Sequence, residues 1–260
     1  MADVFTLGID VGSTTSKCVV LKNGTETVGS SLVGAGTGTT GPVRAFEAAL
    51  AGAGISEDQL SNITSTGYGR NSFEKANFAI SELTAHGLGI HSMYPDARTV
   101  IDIGGQDSKA MTIGADGRLE NFIMNDKCAA GTGRFLDVMA KVLEKDISEL
   151  ADLDEKAEGM ISVSSTCTVF AESEVISQLS RGADIPSLVR GINTSVAIKA
   201  ASLVKRLGIK PPVYMAGGVA RNTGVVRALE KELGTDVNVS EIQQINGAFG
   251  AAVYGYGKVK

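Results

Sequence analysis

The chain has 260 residues, a net charge of −5 and 43% apolar residues, which allows one large domain or two smaller ones. Because the balance is acidic and no run of five basic residues occurs, we expect no nucleic-acid partner. No apolar run reaches the ~18 residues of a membrane span, and the N-terminus MADVFTLGID lacks a charged signal-peptide start. We therefore expect a cytoplasmic protein with no membrane contact.

Three strands and a helix are predicted at the start of the chain. The stretch VFTLGIDVGSTTSKCVVLKNGTETVGSSLV alternates apolar runs with a Gly/Ser/Thr turn and an Asn-Gly turn, which is typical of consecutive strands. The following GPVRAFEAALAGAG predicts an amphipathic helix with Pro42 near its start and glycine after its end.

The same pattern returns in TVIDIGGQDSKAMTIGADGRLENFIMN. Aligned without a gap, GIDVGSTTSK and VIDIGGQDSK match Asp10 with Asp102, Gly12 with Gly104, Ser16 with Ser108 and Lys17 with Lys109. Such self-similarity predicts two related halves, with a boundary near residues 92–98.

The region after Asn125 is predicted to be mostly helical up to about residue 207. GRFLDVMAKVLEK and AESEVISQLS have helical apolar spacing, and ADIPSLVRGINTSVAIKAASLVKRLG predicts a long helix that ends at Gly208. PPVYMAGGVARN then predicts a buried strand that runs into a Gly-Gly turn, and NGAFGAAVYGYG predicts a final helix rich in small residues.

The two Asp-x-Gly turns point to phosphate binding. Small residues after an apolar strand let backbone N–H groups approach phosphate oxygens, and an aspartate at the strand end can hold Mg²⁺ through water. Ser13, Thr14 and Thr15 add hydroxyl donors to the first turn. The alternative is that the two stretches are ordinary hairpin turns with no ligand.

The cysteines raise a separate question, since no CxxC pair occurs. Cys128 precedes a Gly-Thr-Gly turn that opens a helix, and Cys167 precedes a helix near Thr168 that Ser165 or Thr166 could cap. A helix N-terminus stabilises a thiolate, so both thiols are candidate metal ligands. The alternative, with less weight, is that both thiols are idle. Cys18 lies in an apolar strand and is interpreted as core.

A four-sulfur site would need two copies of this chain. Two identical subunits could each give Cys128 and Cys167 to one site on a two-fold axis, and both zinc and iron–sulfur clusters accept four thiolates. His86 and His91, the only histidines, follow no ligand pattern and are interpreted as surface or hydrogen-bonded residues.

Neither a Walker A loop nor a Rossmann fingerprint is present. The duplicated layout instead resembles the actin-like ATPase fold of acetate and sugar kinases, heat-shock-70 chaperones and actin, an α/β fold with two βββαβα-type lobes and a nucleotide cleft between them. The resemblance implies a first lobe over residues 1–95, rejoined by the C-terminal helix 245–260. It implies a second lobe over residues 96–244 that carries cluster-binding helices within 125–182.

A closer resemblance rests on LGIDVGSTTSK, GYGRN, NDKCAAGTGRFLDVMA and SSTCTVFAESEVISQLS. With these motifs the chain is similar to the activating ATPases of 2-hydroxyacyl-CoA dehydratases, the enzymes of amino-acid fermentation, and to ATP-binding subunits of benzoyl-CoA reductase. This resemblance implies a homodimer that holds one [4Fe–4S] cluster through Cys128 and Cys167 and binds ATP or ADP with Mg²⁺. Hydrolysis of the ATP would drive one low-potential electron, received from a donor such as ferredoxin or flavodoxin, into the dehydratase component.

The two resemblances also assign individual residues. Asp10 and Asp102 would hold Mg²⁺ through water, and Gln106 or Glu172 would orient the attacking water. The nucleotide would be bound by Gly12, Ser13, Thr14, Thr15, Lys17, Gly104, Gly105, Gln106, Asp107, Gly217, Gly218, Asn222 and Gln243. An actin-fold small-molecule or acyl kinase, and a zinc-bridged nucleotide switch, remain the alternative functions.

Overall fold

The computed structural model describes residues 3–164 and 167–260. The described residues form ten strands: β1 Phe5–Val11, β2 Ser16–Lys22, β3 Glu26–Val33, β4 Leu60–Thr66, β5 Phe78–Ala79, β6 Thr99–Ile103, β7 Ser108–Ile113, β8 Leu119–Asn125, β9 Val213–Ala216 and β10 Val237–Val239. They also form eight α-helices: α1 Gly41–Ala53, α2 Glu82–Met93, α3 Gly133–Val142, α4 Leu150–Glu155, α5 Thr168–Ser180, α6 Ile185–Leu207, α7 Thr223–Leu233 and α8 Asn246–Val259.

The chain divides into two compact units. Unit 1 comprises Met1–Ala97, Ile113–Glu120 and Ser240–Lys260, and unit 2 comprises Arg98–Thr112 and Asn121–Val239. The β7–β8 turn thus groups with unit 1. A Cβ atom placed on Gly117 of this turn would be 2.6 Å from the His91 ring of α2, which shows how closely the turn packs there.

The two sheets have the same strand order. The first reads β3-β2-β1-β4-β5, and the second, read from its far edge, β8-β7-β6-β9-β10. In the first sheet, β1 pairs antiparallel with β2 and parallel with β4. In the second sheet, β6 pairs antiparallel with β7 and parallel with β9. The repeated motif in the sequence therefore corresponds to a repeated sheet topology.

In unit 1 the β2 strand is buried on both faces. Cys18 and Val20 pack with the α1 residues Phe46 and Ala49, whereas the alternate residues Val19 and Leu21 pack with α8. Because side chains alternate along a strand, a continuous apolar run predicts such a sheet between two helical layers.

The small residues of α8 allow a close approach to the sheet and to α2. A Cβ atom on Gly8 of β1 would be 1.9 Å from the carbonyl oxygen of Ala248, and one on Gly250 would be 1.8 Å from that of Ala85. Both distances are far below any real contact, so glycine is required at these positions.

Among the described residues of unit 2, a large hydrophobic core joins the sheet to the helices. Residues of β6, β7 and β9, including Ile101, Ile103 and Met215, pack with the apolar faces of α3, α5, α6 and α7. The long helix α6 begins after Asp184, whose carboxylate accepts a hydrogen bond from the Ser187 backbone N–H at 2.9 Å, and Gly208 follows its last residue as expected.

Candidate functional site

The turn between β1 and β2 is closed by a backbone hydrogen bond from the Gly12 N–H to the Thr15 carbonyl oxygen, at 3.0 Å. Ser13 and Thr14 at its tip are exposed. Asp10 and Lys17 face each other across the hairpin, and the Lys17 ammonium donates to the Asp10 carboxylate at 3.0 Å. The structure thus pairs Lys17, predicted as a nucleotide ligand, with the predicted magnesium ligand.

The turn between β6 and β7 repeats this geometry at the aligned positions. The Gly104 N–H donates to the Asp107 carbonyl oxygen at 2.9 Å, and Gly105 and Gln106 at the tip are exposed. Lys109 bonds to Asp102 at 3.2 Å and also to Asp107 at 2.8 Å. The residues matched by the ungapped sequence alignment therefore occupy equivalent positions in the two turns.

Asp10 lies among groups that the sequence interpretation did not connect with it. A Cβ atom on Gly67 would be 2.3 Å from Asp10 Oδ1. A Cβ atom on Gly247 would be 3.4 Å from Asp10 Oδ2 and 3.1 Å from His86 Nε2, so the imidazole and the carboxylate flank the same glycine.

His86 is 8% exposed, and Asn246 Nδ2 lies 3.1 Å from its Nδ1 and donates to its carbonyl oxygen. No local sequence signal marks His86, because its partner Asn246 is 160 residues away along the chain.

The oxygen atoms at this strand end suit Mg²⁺. Thr66 is the parallel partner of Asp10, and its hydroxyl oxygen is buried without a hydrogen bond to any described residue. An unsatisfied hydroxyl beside a carboxylate is the kind of oxygen donor set that binds a hydrated Mg²⁺. Asp10 and Thr66 fit the predicted ion.

Cys128 is exposed and does not stand at a helix N-terminus, contrary to the expectation from the sequence. The helix α3 begins at Gly133, five residues later, with Thr132 as its N-cap. Gly131 has a φ of +83° and Thr132 is extended, so the backbone cannot be helical before Gly133. Cys128 is thus five residues before the start of α3, and the effect of the α3 dipole on its thiol stays a prediction.

Cys167 is itself the N-cap of α5, and its carbonyl oxygen accepts the first helical hydrogen bond, from Ala171, at 3.0 Å. The predicted caps Ser165 and Thr166 lie outside the described residues. The next hydroxyl, of Thr168, is buried without a hydrogen bond to any described residue. The expected helix start near Thr168 is confirmed.

The face of α5 that follows Cys167 is apolar and exposed. Val169 is 65% exposed, Phe170 69% and Ile176 51%. Exposed apolar side chains grouped on one helix face are typical of a protein interface. Glu172 lies half-buried on the same helix.

Two thiols of unit 2 are available as candidate ligands for the predicted cluster. Cys128 and Cys167 are both free and accessible, and the helices after them, α3 and α5, pack together. The unsatisfied Thr168 hydroxyl can donate to a sulfur atom at this place. Within residues 3–164 and 167–260 no group of three or more His, Cys, Asp or Glu residues has metal-binding geometry.

Cys18 belongs to the unit 1 core as expected, with no exposed surface. Burial raises the pKa of its thiol well above the ordinary value, and the negative charge of Asp10 adds to this effect. Cys18 therefore stays protonated and cannot act as a thiolate ligand.

The remaining predicted nucleotide ligands differ in what their side chains do. Gly217 has a φ of +88°, and a Cβ there would be 2.3 Å from the Ile103 carbonyl oxygen, so the turn needs glycine. Gly218 starts a short 3-10 helix. Asn222 caps α7 through Gly224 and Val225.

Asn222 Nδ2 also donates to Asn193 Oδ1 at 2.9 Å. Both the oxygen and the nitrogen of the Asn222 amide are therefore hydrogen-bonded within the protein. Gln243, just before α8, is half-buried. The roles of both residues in nucleotide binding stay predictions.

A family model described as the BadF/BadG/BcrA/BcrD ATPase family matches residues 7–255. The chain belongs to this ATPase family. It is 52% identical to the (R)-2-hydroxyglutaryl-CoA dehydratase activating ATPase of Acidaminococcus fermentans over 98% of both chains. It is 51% identical to the 2-hydroxyisocaproyl-CoA dehydratase activator of Clostridioides difficile, over 99% of this chain and 97% of that one.

Solved structures agree with this assignment to the BadF/BadG/BcrA/BcrD family. The Clostridium difficile activator of the 2-hydroxyisocaproyl-CoA dehydratase, with bound ADPNP, has a TM-score of 0.96 and 51% identity, covering 98% of this chain and 96% of that chain. A ROK family glucokinase from Streptomyces griseus has a TM-score of 0.59 at 15% identity, covering 96% and 99%, and shares the fold alone. The predicted actin-like ATPase fold is confirmed.

No helix in the described part of the chain has both the length and the apolar character needed to cross a bilayer.

Proposed function

We propose that this protein is an ATP-dependent activator of a 2-hydroxyacyl-CoA dehydratase. In this function it passes one low-potential electron to the dehydratase component at the expense of ATP. The single observation that carries the proposal is the identity of 51–52% over nearly the whole chain to two activators of such dehydratases. The exposed Cys128 and the partly exposed Cys167 in unit 2 support the electron-transfer part of it.

The electron carrier in this proposal is a [4Fe–4S] cluster shared by two copies of the chain, which supplies a one-electron redox couple when bound. Each copy would contribute Cys128 and Cys167. The apolar face formed by Val169, Phe170 and Ile176 is the proposed contact between the copies, because it starts two residues after Cys167 and is left uncovered in the single chain.

The proposed ATPase function uses the residues of the two repeated turns. The exposed hydroxyls of Ser13 and Thr14, with the backbone N–H groups of both turns, would bind phosphate oxygens. Asp10 and Asp102 would hold the water ligands of Mg²⁺, while Lys17 and Lys109 fix the orientation of the two carboxylates. Gln106 or Glu172 would orient the attacking water.

Anaerobic purification tests the proposal directly. We expect a brown protein of about twice the 26.9 kDa chain mass by light scattering, with about four iron and four acid-labile sulfide per two chains. Zinc in place of iron would favour the nucleotide-switch alternative. A colourless monomer that phosphorylates a small molecule would favour the kinase.

Three cysteine variants locate the ligands. Cys128→Ser and Cys167→Ser should lose the iron and still bind ATP, whereas the control Cys18→Ala should keep it, because Cys18 is buried in the other unit. Iron retained at the wild-type level in either serine variant would overturn the ligand assignment.

The proposed dimer contact has its own matched pair of variants. Phe170→Glu places a charge at the centre of the apolar α5 face and should give a monomer, while Ile198→Glu, also on an exposed position of unit 2 at 44%, should stay dimeric. Equal masses for the two variants would reject this surface as the contact.

Activation assays test the partner. With ATP and a strong reductant, the protein should activate at least one of the purified dehydratases for 2-hydroxyglutaryl-CoA, 2-hydroxyisocaproyl-CoA or lactoyl-CoA, the substrates named for its relatives. Failure with all three despite a full iron complement would reject this substrate class.

A further inference from the structure

Cys128 lies in a seven-residue segment, 126–132, that joins β8 to α3. Around the thiol, its backbone is hydrogen-bonded by the Asn125 side chain. Asn125 Oδ1 accepts a hydrogen bond from the Cys128 N–H at 3.2 Å, and Asn125 Nδ2 donates to the carbonyl oxygens of Cys128 at 2.8 Å and Ala130 at 3.2 Å. A single amide thus fixes the conformation of the backbone that carries the thiol.

The other end of the segment is hydrogen-bonded to the β6–β7 turn. The Gly133 N–H donates to the Gly104 carbonyl oxygen at 2.9 Å, and the Arg134 N–H donates to that of Gly105 at 2.7 Å. The first N–H groups of a helix have no partner inside the helix. In α3, two of them are satisfied by the turn predicted to bind phosphate.

Ala130 and Thr132 are buried, and a Cβ atom on Gly131 would be 2.6 Å from Lys199 Cβ of α6, whereas residues 126–128, around the thiol, are exposed. A cavity of about 280 Å³ lies there, with Ser108, Met124, Cys128, Lys199 and Leu203 in its wall. Ser108 is the first residue of β7, directly after the same turn. The Cys128 thiol is therefore positioned by the Asn125 hydrogen bonds and by the anchored residues 130–133, and not by packing around the sulfur atom itself.

We propose that Asn125 and the first turn of α3 are the positioning groups that connect the β6–β7 turn to the Cys128 thiolate. A displacement of the Gly104 and Gly105 carbonyls on exchange of ADP for ATP shifts Gly133 and Arg134 and, through them, residues 126–132. Asn125 keeps the Cys128 backbone oriented during this shift. The inference rests on the proposed function, since it takes the turn as a nucleotide site and Cys128 as a cluster ligand.

Two variants and two matched controls test this connection. A Cβ atom on Gly133 would be 3.1 Å from the Gly104 oxygen and 3.3 Å from Gly105 Cα, so Gly133→Ala pushes directly on the contact. Gly159→Ala, whose Cβ would meet only Ser187 Oγ at 3.6 Å, is its control in the same unit. Asn125→Ala removes the side-chain hydrogen bonds to Cys128 and Ala130. Its control, Asn121→Ala on the same strand, removes an amide whose one hydrogen bond among the described residues is from the Phe122 N–H.

The first readout is the rate at which a ferrous-iron chelator removes iron from the loaded dimer with ADP and with the non-hydrolysable analogue ADPNP. We expect the ratio of the two rates to fall at least threefold towards one in Gly133→Ala, and the controls to keep the wild-type ratio. From the Asn125→Ala variant, the chelator should remove iron faster than from the wild type with both nucleotides. A wild-type ratio in Gly133→Ala, or no nucleotide effect in the wild type, would overturn the inference.

A second readout covers a variant that does not load iron. In the cluster-free protein, the rate of Cys128 alkylation, followed by mass spectrometry, should depend on ADPNP in the wild type and not in Gly133→Ala. If the wild type binds no iron but this dependence is found, the proposed function fails and the connection stands. If iron is bound and the dependence is absent, the connection fails alone.

Discussion

Lys109 Nζ lies 3.2 Å from Asp102 Oδ2 with both side chains almost wholly buried, whereas the equivalent Lys17 and Asp10 in the other copy keep 18% and 10% of their side chains exposed. The same hairpin geometry thus places one ion pair in the protein interior and the other at its edge. Removing one partner of a buried pair leaves an uncompensated charge, which costs far more than the same change near water.

We therefore expect Lys109→Met to destabilise the protein by about 3–5 kcal/mol, and Lys17→Met by about 1 kcal/mol. Urea denaturation without nucleotide measures both values. Equal losses would show that the difference in exposure between the two pairs does not control their strength.

Gly67→Ala should impair ATP hydrolysis as well as stability. Gly67 has a φ of +87°, and the new Cβ would lie 2.3 Å from Asp10 Oδ1, so the predicted magnesium ligand must move. Gly54→Ala is the matched control, because Gly54 also has a positive φ, +66°, but nothing lies within 4 Å of its Cβ position. Both variants should lose about 1–2 kcal/mol because of the positive φ, and Gly67→Ala should lose more, because its Cβ would also lie 2.7 Å from the Val11 carbonyl oxygen.

Steady-state hydrolysis separates the two glycines. Only Gly67→Ala should lower the rate, by about tenfold or more, if a displaced Asp10 costs 1.4 kcal/mol of transition-state stabilisation. Hydrolysis at the Gly54→Ala rate would contradict a role for Asp10 in holding Mg²⁺.

Thr66→Val tests the unsatisfied hydroxyl beside Asp10. Because Thr66 Oγ1 has no hydrogen bond among the described residues, its removal should leave the free energy of unfolding unchanged or raise it by up to about 1 kcal/mol. The Mg²⁺ concentration needed for half-maximal hydrolysis should increase. Titration of ATPase activity with Mg²⁺ measures this value.

Thr64→Val, two residues earlier on β4, is the control. Thr64 is equally buried, but its hydroxyl donates to Asn62 Oδ1 at 2.8 Å. This variant should lose about 1–3 kcal/mol of stability with an unchanged Mg²⁺ requirement. The opposite pattern in the two variants would remove Thr66 from the metal site.

The stability contributed by Cys18 should depend on pH. Burial raises the pKa of this thiol in the folded state, so unfolding above the unfolded-state pKa releases a proton and is favoured at alkaline pH. The contribution is complete below pH ~8.5 and is lost as the pH rises towards the folded-state pKa. The advantage of the wild type over Cys18→Ala should therefore shrink, by up to about 1.4 kcal/mol per pH unit.

Urea midpoints of both proteins at pH 7, 9 and 10 test this expectation. The comparison cancels the other titrating groups, which the two proteins share. A constant difference across this range would mean that Cys18 ionises equally in the folded and unfolded states.

Much of the site was predictable because its geometry is local. Asp10 and Lys17 are seven residues apart around one tight turn, so antiparallel pairing alone brings them together, and the same spacing does so for Asp102 and Lys109. The ends of α1 followed from Pro42 and the glycine after the helix, and the end of α6 followed from Gly208. These features depend on a few consecutive residues and on the period of the apolar pattern.

Only the tertiary structure decided what surrounds those local elements. His86 and Asn246 come together from helices 160 residues apart, and the burial of Lys109 depends on unit 2 as a whole. The first turn of α3 starts at Gly133, where its N–H groups reach Gly104 and Gly105, so Cys128 is in a loop. The periodicity of a sequence tells which face of an element is apolar, but the partner of that face is chosen by packing over the entire chain.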